Sequence, residues 1–221
     1  MAKEKLKAEG IYWINGKIAT ENLIPGKSVY GEKLVKKGGK EFRIWNPERS
    51  KPAAAIYKGL RMFPLKKNQK ILYLGIATGT TSSHFSDIVG KNGIIYGIEV
   101  SERVLRELLP LAAERKNIVP ILADARKPEE YWWIEEVDVV YADVAIPDMS
   151  EVLIRNCELF LKDKGFAMIA IKSRSIDVTK NPKIVYKEER EKLEKKFTVE
   201  DFVVLDPFEK DHGFFVLQKK N

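Results

Sequence analysis

Three carboxylates of this chain each come directly after an apolar run. Glu99, Asp124 and Asp143 stand in the strings IYGIEV, ILADAR and YADVAI. In open α/β sheets, ligands bind beyond the carboxyl ends of the strands. A helix cap or a surface loop would explain any one of these acids alone. Acids at successive strand ends instead favour a crevice for a ligand with hydroxyl and amino groups, such as a nucleoside.

A glycine loop precedes the first of these acids. Gly75 and Gly79 follow an apolar run, and Thr80 and Thr81 open a helical stretch. The glycines let the backbone approach a ligand, and Glu99, about 20 residues on, can accept hydrogen bonds from both ribose hydroxyls. The spacing is not the dinucleotide G-x-G-x-x-G, and the lysine of a P-loop is missing. The loop therefore suits a phosphate-free nucleoside, of which S-adenosylmethionine is the commonest cofactor. An ordinary βα turn is the alternative.

The other acids and one lysine have chemical roles in such a crevice. Asp124 is placed to accept from an adenine amino group, and Asp143 to lie near a reacting methyl group and to orient Lys172. Lys172 follows five apolar residues, so we expect it to be partly buried with a lowered pKa. A neutral amine could take a proton from a hydroxyl, and a charged one would stabilise an oxyanion. A lysine extending to solvent at the sheet edge is the alternative.

Further polar residues are weaker candidates. His212 comes just before the last apolar run, and a lone histidine is more often structural. Arg174 and Lys180 follow Lys172 and could bind phosphate. His84 lies in the helical stretch after the glycine loop, where packing or capping is the expected role. We predict no metal site.

The elements that must position these residues alternate between strands and helices after residue 70. Alternation of this kind predicts a parallel sheet with helices on both faces. Pro110 should kink or divide the helix predicted over 102–115. Asp148 with Glu151 resembles a capping box at the start of the helix predicted over 149–161. The predicted strands are Ile71–Leu74, Ile94–Glu99, Ile118–Leu122, Val137–Ala142 and Phe166–Lys172. The predicted helices are Thr81–Val89, Glu102–Arg115, Glu129–Glu135, Met149–Leu161 and Ile184–Lys196.

The two ends of the chain depart from this alternation. Strands Thr198–Leu205 and Gly213–Leu217 are too close for a parallel crossover, so the last strand must run antiparallel. The fold class is therefore α/β, with a seven-stranded Rossmann-like methyltransferase sheet. Two hairpins, turning at Asn15-Gly16 and Gly38-Gly39, predict a small antiparallel β domain over residues 1–50. A helix over Ser50–Met62 would open the methyltransferase domain, residues 51–221.

Composition and charge limit the class of protein. No apolar run reaches the roughly 18 residues of a membrane span, and no apolar segment follows the basic start, so we expect no signal peptide. A lone cysteine, Cys157, excludes an internal disulfide and fits a cytoplasmic location. The net charge is +7, and residues 1–70 carry 17 Lys/Arg against 6 Asp/Glu. This basic front half suggests a nucleic-acid partner, although a solvated lysine-rich surface is the alternative.

Six stretches of the chain resemble the fibrillarin family in its archaeal form. They are FRIWNPERSKPAAAI, ILYLGIATGTTSSHFSDIVG, VLRELLPLAAERKNIVPILADARKPEEY, VDVVYADVAIPD, MIAIKSRSIDVTKNP and PFEKDHGFFV. The resemblance covers nearly the whole chain beyond about residue 10. It implies an S-adenosylmethionine-dependent ribose 2′-O-methyltransferase of rRNA and tRNA in a box C/D guide-RNA particle. The implied partners are a Nop-domain scaffold protein, a kink-turn-binding ribosomal-type protein, the guide RNA and the substrate RNA.

The resemblance also assigns residues by motif. Asp143, Lys172 and His212 match the polar residues around the methyl acceptor, and Lys51 matches a further lysine often grouped with them. Thr80 and Thr81 resemble the cofactor-contacting threonines. The complete set implied for the cofactor is Gly75, Ala77, Gly79, Thr80, Thr81, Glu99, Val100, Asp124, Ala125, Asp143, Val144, Ala145 and Ile146.

Three departures from the family pattern leave other functions open. Ile146 stands where glutamine is usual, Val100 where an aromatic residue is common, and Ile76-Ala77-Thr78 where small residues are usual. These changes could weaken cofactor binding, so an assembly component of the same particle is the alternative function. A stand-alone methyltransferase for small molecules is a third, against which the basic front half argues.

Overall fold

Residues 6–220 fold into two β-sheets, and Ile18 of the smaller sheet shares a hydrophobic cluster with residues of the larger one. The computed structural model describes residues 6–220. Residues 1–5, which belong to the basic start and to the predicted N-terminal β domain, and residue 221 lie outside the described residues. Within residues 6–220, no helix combines the length and the apolar character that a membrane span requires.

The N-terminal sheet has four antiparallel strands in the order β1-β2-β4-β3. Both predicted hairpins are present. Their turn residues Asn15, Gly16, Gly38 and Gly39 all have positive φ, as tight two-residue hairpin turns require. The strands are β1 Ile11–Ile14, β2 Lys17–Glu21, β3 Leu34–Lys37 and β4 Lys40–Ile44.

The large sheet has seven strands in the order β10-β11-β9-β8-β5-β6-β7. Strands β5 to β9 are mutually parallel, whereas β11 runs antiparallel to both β9 and β10. The predicted fold class is therefore confirmed. The strands are β5 Lys70–Leu74, β6 Ile94–Glu99, β7 Ile118–Leu122, β8 Val137–Ala142, β9 Leu161–Lys172, β10 Phe197–Val204 and β11 His212–Lys219.

Six α-helices accompany the strands within the part of the chain that the structure describes. They are α1 Lys51–Tyr57, α2 Thr80–Val89, α3 Glu102–Arg115, α4 Met149–Phe160, α5 Ser173–Ile176 and α6 Pro182–Leu193. Helix α1 is shorter than predicted because the chain turns at Gly59, which adopts a φ of +95°. The helix expected over 129–135 is instead a single 3-10 turn, Pro128–Tyr131.

The capping box predicted at Asp148 was wrong, and of the two effects expected of Pro110 the division of its helix is excluded. Pro110 does not divide α3, which runs unbroken through it. Asp148 makes no capping hydrogen bond at the start of α4, because its carboxylate pairs with Arg126 at 3.4 Å. The proline at residue 110 still removes one backbone donor from the helix, and the packing of Leu108 and Ala112 in the core outweighs that loss.

A buried network of charges joins the N-terminal sheet to α2. The Asp87 carboxylate, fully buried, accepts from Arg43 at 2.9 Å and from Arg115 at 2.7 Å. It also accepts from the Thr20 hydroxyl at 2.6 Å and the Leu23 N–H at 3.0 Å. Every acceptor position of this carboxylate is used, as burial of a charge requires. The N-terminal sheet is thereby held against the helix that follows the glycine loop.

His84 on α2 belongs to the same junction. Its ring is fully buried and stacks on Trp45 with centroids 4.8 Å apart. Because the Thr20 hydroxyl proton goes to Asp87, His84 Nδ1 donates to Thr20 and Nε2 accepts from the Tyr30 hydroxyl, both at 2.8 Å. Burial, together with the Arg43 and Arg115 charges, holds the pKa of His84 well below its usual value. The expected packing role is the one observed.

Candidate functional site

A cavity of about 310 Å³ lies at the carboxyl ends of β5, β6, β7 and β8. Ten residues of the predicted cofactor set line it: Gly75, Ala77, Glu99, Val100, Asp124, Ala125, Asp143, Val144, Ala145 and Ile146. Ile98, Ala123 and Arg126 line it as well and were missed. Each of the three is a chain neighbour of a predicted residue, so the strand-end argument could have included them.

The Glu99 carboxylate bonds the backbone of the glycine loop and of the turn that follows β6. One oxygen accepts from the Ala77 N–H at 3.2 Å, and the other accepts from the Ser101 N–H at 2.9 Å. Ala77 has a φ of +53°, an uncommon conformation for a residue with a side chain. The half-buried carboxylate keeps free lone pairs, so it can still accept hydrogen bonds from a ligand.

Close packing explains the two glycines of the loop. A Cβ at Gly75 would lie 2.6 Å from the Asp143 carbonyl oxygen, and one at Gly79 would lie 2.4 Å from Leu111 of α3. Both glycines also have positive φ. The glycine spacing therefore brings the loop against β8 and α3, and in doing so it shapes one wall of the cavity.

Gly79, Thr80 and Thr81, all predicted to contact the cofactor, do not line this cavity. They form the start of α2. The Thr81 hydroxyl is buried and lies 2.9 Å from the Ser50 hydroxyl. Ser50 stands at the N-cap of α1, but it makes no capping bond and uses its side chain for this contact instead.

The charges around the cavity suit a nucleoside better than a phosphate. Glu99 and Asp124 present acceptors, and Asp124 is held by the Arg126 N–H at 2.9 Å. The Arg126 side chain lines the cavity, but Asp148 partly neutralises it. Carboxylates repel phosphates and accept from ribose hydroxyls and amino groups. Val100 is 69 % exposed and Ile146 is half-buried, so both offer apolar surface for a flat ring.

Asp143 forms an ion pair with Lys51 at one side of the cavity. Lys51 Nζ lies 2.9 Å from Oδ1 and 3.1 Å from Oδ2 of Asp143. The Tyr141 hydroxyl donates to Oδ2 at 3.3 Å. Burial by itself would lower the pKa of Lys51, but the charge and hydrogen bond of Asp143, with a further contribution from Glu209, raise it above its usual value. Lys51 therefore remains an ammonium group.

Lys172 differs from expectation in two respects. It is exposed, not partly buried, because it ends β9 where the sheet opens to solvent. Within the described residues, the Asp143 carboxylate contacts Lys51 and Tyr141, whereas Lys172 forms no ion pair. The expected orientation of Lys172 by Asp143 is thus replaced by the Lys51 pair, and the desolvation expected at Lys172 is absent.

His212 and Lys172 lie opposite each other on neighbouring antiparallel strands. Residues opposite each other in this way project their side chains on the same face of the sheet. His212 Nδ1 lies 2.7 Å from the Lys210 carbonyl oxygen, so it donates there. In the neutral ring Nε2 is then the acceptor. The pair thus combines a hydrogen-bond acceptor with an amine.

Two buried tyrosines beneath Asp143 were not predicted. Tyr73 and Tyr141 face each other across β5 and β8 with ring centroids 4.7 Å apart. Burial first, and then the Asp143 charge, holds the pKa of both phenols well above the usual value. Both therefore stay neutral donors. Their positions one residue before strand ends were the only available signal in the sequence.

The family model for fibrillarin matches residues 2–221 of this chain. The chain belongs to the fibrillarin family. A relative from Pyrococcus furiosus, named fibrillarin-like rRNA/tRNA 2′-O-methyltransferase, is 54% identical over 222 residues, which cover 98% of each chain. The expected resemblance is confirmed.

Two solved fibrillarin structures have closely similar folds. Aeropyrum pernix fibrillarin, crystallised with natively bound S-adenosyl-L-methionine, aligns with a TM-score of 0.87 and 47% identity, covering 97% of this chain and 95% of that one. The fibrillarin of a fibrillarin/Nop5p complex aligns with a TM-score of 0.88 and 40% identity, covering 98% of this chain and 100% of that one.

Proposed function

We propose that this chain catalyses guide-RNA-directed 2′-O-methylation of ribose in rRNA and tRNA, with S-adenosylmethionine as methyl donor. The observation that carries the proposal is the Lys51–Asp143 ion pair beside a cavity that Glu99 and Asp124 line. The relatives named above support it, since they are a 2′-O-methyltransferase and a fibrillarin that holds this cofactor.

The cofactor-binding role falls to the residues around the 310 Å³ cavity. Glu99 would accept from the ribose hydroxyls, and Asp124 from the adenine amino group. The adenosine and methionine parts of the cofactor would lie against Val100, Ala125 and the segment 143–146. We retain Gly79, Thr80 and Thr81 as proposed contacts from the start of α2. The sulfonium of the bound cofactor supplies an electrophilic methyl group.

Lys51 and Asp143 act as a unit in this proposal. The raised pKa of Lys51 keeps it charged near neutral pH, so it cannot serve as the base. Its charge and the Tyr141 hydroxyl instead hold the Asp143 carboxylate in one orientation at the cavity wall. A fixed carboxylate beside the reacting centre stabilises positive charge and excludes misaligned acceptors.

Lys172 and His212 handle the methyl acceptor. A ribose hydroxyl must lose its proton as the new oxygen–carbon bond forms, and Lys172 would assist that loss, acting as a base once the bound substrate buries its amine. His212 Nε2, an acceptor because Nδ1 donates to Lys210, would position the acceptor nucleotide through a donor group other than that hydroxyl. Exposure of Lys172 leaves it accessible to a large substrate such as RNA.

The partners and the domain organisation complete the proposal. A Nop-domain scaffold protein would bind this chain, as Nop5p binds a relative. A kink-turn-binding protein, a box C/D guide RNA and the rRNA or tRNA substrate would complete a cytoplasmic particle. Residues 1–50 form the small β domain and residues 51–221 the methyltransferase domain, although the core residues Ile18 and Trp45 pack with both.

Reconstitution tests the proposal. The chain is combined with the scaffold protein, the kink-turn protein, a guide RNA and its target, and methylated ribose is mapped. Methylation at the single nucleotide chosen by the guide, moving when the guide changes, is the expected result. Assembly of the particle without any methyl transfer would favour the alternative of an assembly component. Methylation of a small hydroxylated acceptor without guide RNA would favour the stand-alone enzyme.

A further inference from the structure

An open groove of about 800 Å³ lies between the N-terminal sheet and the segment that leads to His212. It is distinct from the cofactor cavity, and the two have no lining residue in common. Its walls combine three cations with three half-buried aromatic rings. The cations are Lys17, Lys33 and Arg49, and the rings are Tyr30, Tyr57 and Phe208.

The groove adjoins the proposed catalytic residues through the chain itself. Arg49 is two residues before Lys51, whose ammonium pairs with Asp143. Phe208, on the opposite wall, precedes Glu209, whose charge acts on Lys51. The same segment continues to His212, and the His212 carbonyl accepts from the Leu205 N–H at 2.9 Å. Both walls of the groove therefore lead to the place where the acceptor ribose would lie.

The charge of the groove favours an anion. Lys17, Lys33 and Arg49 are all exposed, and none of them forms an ion pair within the described residues. Of the two acids in the lining, Glu32 is consumed by a buried ion pair with Arg43 at 2.6 Å. Glu48 is the other acid, so the lining of the groove holds more exposed cations than unpaired carboxylates.

The aromatic rings are held in place from behind. The Tyr30 hydroxyl bonds His84 at 2.8 Å, and the Tyr57 hydroxyl accepts from the Ile18 N–H at 3.1 Å. Phe208 packs against Tyr57 with centroids 5.9 Å apart. Arg49 lies over the Tyr30 ring at 5.9 Å. Rigid aromatic rings beside cations are the arrangement with which proteins bind successive bases and their phosphates.

We propose that this groove binds the ribose-phosphate strand of the substrate next to the nucleotide that is methylated. The proposal rests on the proposed function, because that function supplies RNA as the substrate. Lys33 and Arg49 contact phosphates, and the rings of Tyr57 and Phe208 take a base. The groove thereby sets which stretch of strand enters the site, while the guide RNA chooses the sequence.

Binding of a short RNA by the full chain tests this groove. Fluorescence anisotropy measures the dissociation constant of a fluorescein-labelled single-stranded 12-mer for the unsubstituted protein and for K33A/R49A. We expect about tenfold weaker binding, and a salt slope smaller by about 1.4, or about 0.7 for each lost phosphate contact. The matched control is K36A/K37A, which removes two exposed lysines from β3 of the same sheet, outside the groove. It should weaken binding less than twofold.

A second variant addresses the rings. Phe208→Leu keeps an apolar side chain but removes the stacking surface, so binding should weaken about fivefold while the salt slope stays unchanged. Equal weakening by K33A/R49A and K36A/K37A, or no effect of either groove variant, overturns the proposal. Because no methyl transfer is measured, such a result leaves the proposed function intact. Conversely, an unsubstituted protein that binds RNA through the groove but transfers no methyl group refutes the function alone.

Discussion

Lys51 Nζ lies 2.9 Å from Asp143 Oδ1, and 92 residues of chain separate the two. The pair joins the first residue of α1 to the end of β8, so it holds α1 against Asp143, which lines the cofactor cavity. Both side chains are about one-fifth exposed. Screening by solvent is therefore incomplete, and the pair is strong enough to raise the pKa of Lys51 against its own desolvation.

Removal of either member of this pair should impair catalysis. We expect Lys51→Met and Asp143→Asn each to lower single-turnover methyl transfer about 100-fold, because each leaves the other group misoriented. The double variant should lose little more than either single variant, since residues that act as a unit are not additive. Lys58→Met, an exposed lysine just beyond α1, is the control. Losses that multiply in the double variant would contradict a coupled pair.

The role of Lys172 can be separated from that of a simple charge. Lys172→Met removes both the amine and the charge, whereas Lys172→Arg keeps the charge but provides no base, because guanidinium does not lose its proton. We expect both variants to lose about 100-fold in methyl transfer at pH 8. Cofactor affinity should be unchanged in both. Recovery of activity in Lys172→Arg would show that Lys172 stabilises an oxyanion instead.

Glu99 should dominate cofactor affinity. Glu99→Gln keeps the shape of the side chain but removes the charge that accepts from both loops and from the ribose hydroxyls. Hydrogen bonds to charged groups are worth about 1.5–3 kcal/mol, so the dissociation constant for S-adenosylmethionine should rise roughly 10- to 100-fold. Isothermal titration calorimetry measures it. Glu102→Gln, an exposed acid three residues away, should bind as the unsubstituted chain does.

The buried Asp87 carboxylate should contribute strongly to stability. Asp87→Asn removes the ion-pair partner of the buried Arg115 guanidinium, whereas Arg43 keeps its pair with Glu32. Loss of one member of a buried ion pair costs about 3–5 kcal/mol of unfolding free energy. Guanidinium unfolding followed by circular dichroism measures it. Asp163→Asn, whose side chain is 94% exposed, should change stability by less than about 0.5 kcal/mol.

His84 should make stability depend on pH. Its folded-state pKa lies well below the value of about 6.5 in the unfolded chain, so the unfolded state binds the proton first as the pH falls. Stability from this group is complete above about pH 6.5 and should decrease below it by up to about 1.4 kcal/mol per pH unit. Urea midpoints between pH 5 and 7.5 measure the slope. In His84→Gln the slope should largely disappear, and an unchanged slope would assign it to another group.

Local patterns in the sequence determined the order of elements and the edge at which the ligand cavity forms. Three of these patterns depend only on residues that are neighbours in the chain. They are the hairpin turns at Asn15-Gly16 and Gly38-Gly39, the alternation after residue 70 and the short connection before β11. Glu99, Asp124 and Asp143 lie at or just after strand ends, and parallel strands bring such ends together whatever the remaining packing. For that reason ten of the thirteen residues predicted for the cofactor lie around one cavity.

Contacts between distant segments were decided by the tertiary structure alone. The sequence pattern placed Lys172 as the partner of Asp143, but the packing of α1 brings Lys51 there instead. Likewise, Ser50 reaches Thr81, and Tyr30 and Phe208 meet at one groove. Ion pairs and hydrogen bonds need their two atoms within about 3 Å of each other. The docking of whole elements decides which atoms come that close. Periodicity along the chain carries no information at that scale, because it specifies which face of an element is buried and not which residue lies opposite.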